Sequence, residues 1–157
     1  MLQTATNWFI ARPAALLNIP RDIFMLSLRI HVGWQFFKAG WLKINSWSNT
    51  ISQFQNDFQV PILPPVPAAV LGTFAELFFP ALLFIGLSSR LASVGLQAVN
   101  VVAMMSVVHY FSDGLGYADP AFADHYLWGL MLLAVAFYGP GRLSVDYLLS
   151  RRQDGRI

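Results

Sequence analysis

Glu76 is a carboxylate inside a run, Val66 to Leu87, whose only other polar side chain is Thr73. At about 1.5 Å rise per residue, a helix over such a run crosses a hydrocarbon core of about 30 Å. Glu76 then lies near the midplane, where a lone charge costs at least about 2.5 kcal/mol on insertion scales. It must face a protein interior, meet a partner or hold a proton. Arg29, Gln97 and Asn100 fall inside other apolar segments and are the candidate partners. Helix rise places Arg29 roughly 10 Å, and Glu76 and Asn100 roughly 15 Å, from one membrane face. An Arg29–Glu76 ion pair, completed by hydrogen bonds from Asn100 or Gln97, is therefore expected. It either serves a ligand or proton, or only sets helix packing.

A second cluster is His109, His125 and Asp124, at the two ends of a loop that carries Asp113 and Asp119 and no Lys or Arg. Imidazoles titrate near neutrality and ligate metals, so His109 and His125 are candidate copper or zinc ligands or a proton relay. Met104 and Met105 lie one turn before His109 and would add soft ligands for Cu(I). The more ordinary reading is hydrated interfacial histidines and packing methionines.

The elements that must hold these groups are helices in a membrane. The chain has 157 residues, 56% hydrophobic and 11% charged, against about 25% charged in a soluble domain. Expected spans are 22–43, 67–87, 91–111 and 122–138, in one domain covering 1–157. The fold class is all-α: an integral membrane, up-down four-helix bundle. In the first span Arg29, Gly33, Phe36, Gly40 and Lys43 share one face, and the glycines admit a neighbouring helix. His31, Gln35 and Lys38 form a second polar stripe. Between spans one and two, Trp47, Ile51, Phe54 and Phe58 recur at helical spacing among polar residues, with Ser46 as N-cap. That predicts an amphipathic interfacial helix over 46–58, followed by a stiff proline-rich segment from Val60 to Pro67. Residues 1–21 read as an interfacial foot or equally as a partly ordered tail, without the pattern of a cleaved signal peptide.

Basic residues orient the chain. Arg12, Arg21, Arg90, Arg142, Arg151, Arg152 and Arg156 fall on one side, and Lys38 and Lys43 on the other. Both termini are expected in the cytoplasm, with the chain multi-pass in the membrane. Absence of cysteine excludes disulfides and thiol redox chemistry. No phosphate loop, haem motif or nucleophile–base pattern is present, and nothing supports nucleic-acid binding. The aromatic residues near the span ends form an interfacial belt.

Several stretches together resemble the DoxX family of small bacterial four-helix membrane proteins. They are Arg29-x3-Gly33 with Gly40-Trp41-Leu42-Lys43, Ala75-Glu76-Leu77, Gly86-Leu87-Ser88-Ser89-Arg90, and Tyr138-Gly139-Pro140-Gly141-Arg142-Leu143-Ser144-Val145-Asp146. The segments Ser46-Trp47, Val60-Pro61-Ile62-Leu63-Pro64-Pro65 and Asp124-His125-Tyr126-Leu127-Trp128-Gly129 look like a narrower branch associated with maturation of copper-binding ribosomal peptides. The resemblance marks Arg29, Lys43 and Glu76 and implies a membrane component of a redox-linked or copper-handling system. Quinone and copper are the candidate ligands. Partners would be the lipid bilayer and soluble or membrane proteins of a redox or peptide-maturation system, with oligomers allowed. An enzymatic role would be as membrane subunit of a quinone-linked oxidoreductase. The alternatives are a non-catalytic scaffold and, least favoured, a small-solute or metal permease.

Overall fold

A computed structural model of the chain describes residues 18–58, 60–107 and 120–153. Among them are six helices and no strand: α1 Asn18–Asn45, α2 Trp47–Asn56, α3 Pro65–Ile85, α4 Ser89–Ser106, α5 Pro120–Tyr138 and α6 Val145–Gln153. The all-α expectation holds. The expected N-terminal foot lies, apart from its last residues, outside the described residues, as do His109, Asp113 and Asp119.

α1 continues past Pro20, which stands in its first turn, where the missing N–H breaks no helical bond. Its glycines face α3. A Cβ on Gly33 would stand 2.8 Å from the Phe84 ring, and one on Gly40 2.9 Å from Leu77. Early α1 therefore meets late α3, and the two helices run antiparallel in close contact. A single residue, Ser46, separates α1 from α2. Ser46 stands at the N-cap as expected, yet its hydroxyl makes no capping bond.

The amphipathic character of α2 is used differently from a free interfacial helix. Its Phe54 packs on Ala68 and Ala69 of α3, with Ile51, Phe58 and Val60 around them. α3 begins at Pro65, within the stretch expected to be extended, because proline is already set for a helical first turn. It ends on Gly86 at φ 72°, with Leu87 N–H donating to Leu82 O at 3.0 Å. This left-handed close turns the chain into α4 within three residues, so α3 and α4 are antiparallel neighbours. α4 ends at Ser106, short of the expected 111, and Val107 is extended. α5 runs antiparallel to α4: Asn100 meets His125, and Arg90 approaches Gly139.

Met25, Leu28, Val32, Phe36, Leu83, Ala92, Leu96, Leu132 and Val135, drawn from the four long helices, form one core. The same interior holds Arg29, Glu76 and Asn100, while Phe24, Trp34, Phe74, Phe78, Leu91, Leu127 and Phe137 are exposed. Large apolar side chains outside and charges inside reverse the ordinary arrangement in water. Among the described residues, α3 alone is both long and apolar enough to cross a bilayer by composition; Phe122–Tyr138 is a shorter apolar helix.

Candidate functional site

Buried charged side chains sit at two levels of the α1–α3 contact. At one, Lys43 Nζ lies 2.5 Å from both oxygens of Glu76. At the other, Arg29 is fully buried and donates to Leu83 O at 3.1 Å and Leu143 O at 2.5 Å. The expected Arg29–Glu76 pair is therefore corrected: Lys43 is the partner of Glu76. The reason is register. α1 starts at Asn18, so Arg29 is level with the end of α3, where a Cβ on Gly86 would collide with its guanidinium. Glu76 lies ten residues before Gly86, about 15 Å along the helix, opposite Gly40 and within reach of Lys43.

The Arg29 level is a clasp that fastens the segment after α5 to the α3–α4 turn. Asp146 accepts from the backbone N–H groups of Ser88 at 2.7 Å and Ser89 at 2.8 Å, the first donors of α4. A carboxylate suits that helix terminus, whose amides lack helical acceptors. Asp146 N–H in turn donates to Gly86 O at 2.9 Å. On α1, buried Asp22 accepts from the Arg142 N–H at 3.0 Å. The sequence assigned neither aspartate a role, although Asp146 closes the Tyr138–Asp146 stretch of the resemblance, because each acts on a turn far away in the chain. Their only local signal is proximity to Gly139-Pro140-Gly141 and to the start of a helix.

The Lys43 level opens on a cavity of about 520 Å³ walled by α1, α2, α3, α4 and α5. Phe36, Phe54, Phe58 and Trp128 give it aromatic walls, and Ala39, Ala75, Ala98 and Ala103 leave it room. Lys43, Glu76, Gln35, His125 and Ser106 are its polar residues. Leu63, Leu71 and Val102 line it and are exposed, so its rim reaches the outer surface of the molecule. Lys43 itself is held in place by its helix: Thr50 Oγ1 donates to Lys43 O at 3.1 Å, tying α2 to the end of α1.

Asn100 of α4 serves His125 and not Glu76. Asn100 Nδ2 donates to His125 O at 2.9 Å, and His125 Nδ1 lies 2.7 Å from Asn100 Oδ1. The His125 ring also sits edge-on to Trp128, centroids 4.8 Å apart. Gly129 makes this approach feasible, since a Cβ there would stand 3.3 Å from Asn100 Nδ2 and from Gln97 Nε2. Gln97 Oε1 is buried without a hydrogen-bond partner. Of the outer cluster, Asp124 is exposed and His109 lies outside the described residues. No three His, Asp or Glu side chains among the described residues converge as a metal site.

The family model described as DoxX matches residues 24–109, which include Arg29, Lys43 and Glu76. An uncharacterized protein of Haemophilus influenzae is 28% identical over 137 residues, covering 85% of this chain and 88% of that protein. No solved structure matches the chain.

Proposed function

The chain belongs to the DoxX family of membrane proteins, and from that premise we propose that it binds a quinone-like ligand beside Glu76 as the membrane component of a redox-linked or copper-handling system. The observation that carries this reading is the cavity of about 520 Å³ holding the Lys43–Glu76 pair. Ligand pockets of this kind measure about 300–1,000 Å³ and combine apolar walls with a few convergent polar groups. The aromatic walls suit a flat headgroup. The Lys43 ammonium suits a carbonyl oxygen, and Glu76 suits a hydroxyl. The exposed rim residues Leu71 and Val102 lie on neighbouring helices, so an apolar tail leaves toward lipid.

In this reading the single domain spans the bilayer four times, as an up-down bundle of α1, α3, α4 and α5 with α2 at the interface. Exposed apolar side chains on all four helices support it, with the charges turned inward. Arg90, Arg142, Arg151 and Arg152 gather at the clasp end, which the positive-inside rule places in the cytoplasm of a bacterial inner membrane together with both termini. A cytoplasmic-only reporter fused after Ile157 is expected to be active, and activity of a periplasmic-only reporter at that position would reverse the orientation. Mass spectrometry of solvent extracts from the purified protein tests the ligand. A quinone enriched over bulk lipid, and lost in Glu76→Leu, supports the proposal. Recovery of no quinone above the bulk ratio removes it.

A scaffold role for soluble partners is the second reading. It draws on α6, whose exposed Leu148 and Leu149 stand beside Arg151 and Arg152. A stable complex with soluble maturation proteins, without bound ligand, would favour it.

A further inference from the structure

We infer that the cavity selects a ligand carrying a phenol-type hydroxyl, and that His125 Nε2 is the acceptor that recognises it. The inference rests on the cavity reading above and adds the hydrogen-bond sense of its α5 wall. The sense follows from Asn100. Its Nδ2 donates to His125 O at 2.9 Å, and a backbone carbonyl can only accept, so the amide has one permitted orientation. The atom facing His125 Nδ1, at 2.7 Å, is then Oδ1, which also only accepts. Nδ1 must therefore carry the hydrogen, and in the neutral ring Nε2 keeps its lone pair.

The ring cannot easily exchange these roles. Asn100 is buried, the Trp128 ring holds the imidazole edge-on, and Gly129 keeps the backbone of α5 within reach of Asn100. Nε2 makes no hydrogen bond among the described residues, and His125 lines the cavity. A group that completes it must donate. The rings of Phe36, Phe54, Phe58 and Trp128 around the same space favour an aromatic body for that donor. A phenol, or the hydroxyl form of a quinone-like headgroup, has both properties, whereas its methyl ether has the same apolar body and no donor.

The test is competition between 4-nonylphenol and 4-nonylanisole for the intact protein in nanodiscs, read by native mass spectrometry. Partitioning into lipid affects both proteins equally, so the phenol-to-anisole occupancy ratio of wild type is compared with that of His125→Phe. One hydrogen bond to the imidazole predicts a ratio about fivefold higher in wild type. Asn100→Leu, which releases the ring, should lower the ratio while anisole still binds. A ratio indifferent to His125→Phe overturns the inference and leaves the cavity reading intact. Failure of both probes to bind wild type overturns both. A long-range proton–nitrogen correlation spectrum gives an independent readout: the inference requires the Nδ1–H tautomer at His125, and an Nε2–H tautomer contradicts it.

Discussion

The two charged levels of the α1–α3 contact solve the same problem in opposite ways. At the clasp, Arg29, Asp22 and Asp146 bond chiefly to backbone groups of turns and helix ends. Glycine lets the guanidinium approach, and the space around it is filled by Gly86 and Ser144. At the other level, Lys43 and Glu76 bond to one another and border open volume. A charge satisfied by main chain is committed to the fold. A charge satisfied by a second side chain, beside a cavity, can change partners when a ligand arrives. That difference is why we propose a structural role for one level and binding for the other, although both have similar composition.

The largest effect should come from the clasp. Arg29→Met leaves the buried carbonyl of Leu83 and the partly buried one of Leu143 without their donor, and at about 1–3 kcal/mol for each unsatisfied group should destabilise by about 3–5 kcal/mol. Unfolding in mixed micelles, followed by circular dichroism, measures it. A loss below that of Glu76→Leu would invert the comparison.

The Lys43–Glu76 pair should yield less. Their side chains are 19% and 8% exposed, and a stranded Lys43 can turn into the cavity. Glu76→Leu is expected to cost about 2 kcal/mol, below the full range for a dry pair. The double variant Lys43→Met/Glu76→Leu should recover most of this, because no charge is then stranded. Simple additivity in the cycle would show that the two residues do not act as a pair.

The smallest effect sharpens the clasp itself. Asp146→Asn keeps one acceptor for the Ser88 and Ser89 amides and loses the negative charge at the α4 terminus, a change of about 1 kcal/mol. Hydrogen exchange should rise locally at Ser88 and Ser89. Uniform loss of protection throughout the chain would mean that Asp146 holds more than this turn.

The match over residues 24–109 covers Arg29, Lys43 and Glu76, but stops before His125, Asp146 and the segment that carries Leu143. Half of the clasp and one wall of the cavity thus lie beyond the matched region. The resemblance noted in Tyr138–Asp146 finds its physical reason in the fold: Gly139 and Gly141, at φ 81° and 79°, turn the chain so that Leu143 and Asp146 reach Arg29 and α4.

By itself the sequence determined what local periodicity and desolvation can decide. The helical run around Glu76, the polar face of α1, the amphipathic stretch after Ser46 and the need for buried partners were all legible there. Each depends on residues within a few turns of one another, or on the cost of charge in apolar surroundings. Partnership was decided only by the tertiary structure. Arg29 and Lys43 share a face of α1, and either could have met Glu76. Their choice depends on the sliding register of two antiparallel helices, which Gly33 against Phe84, Gly40 against Leu77 and the clasp at Gly86 set together. Asn100 likewise could have reached Glu76 by depth alone. It turns to His125 because Gly129 brings the α5 backbone within hydrogen-bonding distance. Helical spacing names the face on which a side chain lies; only packing between helices names what it meets.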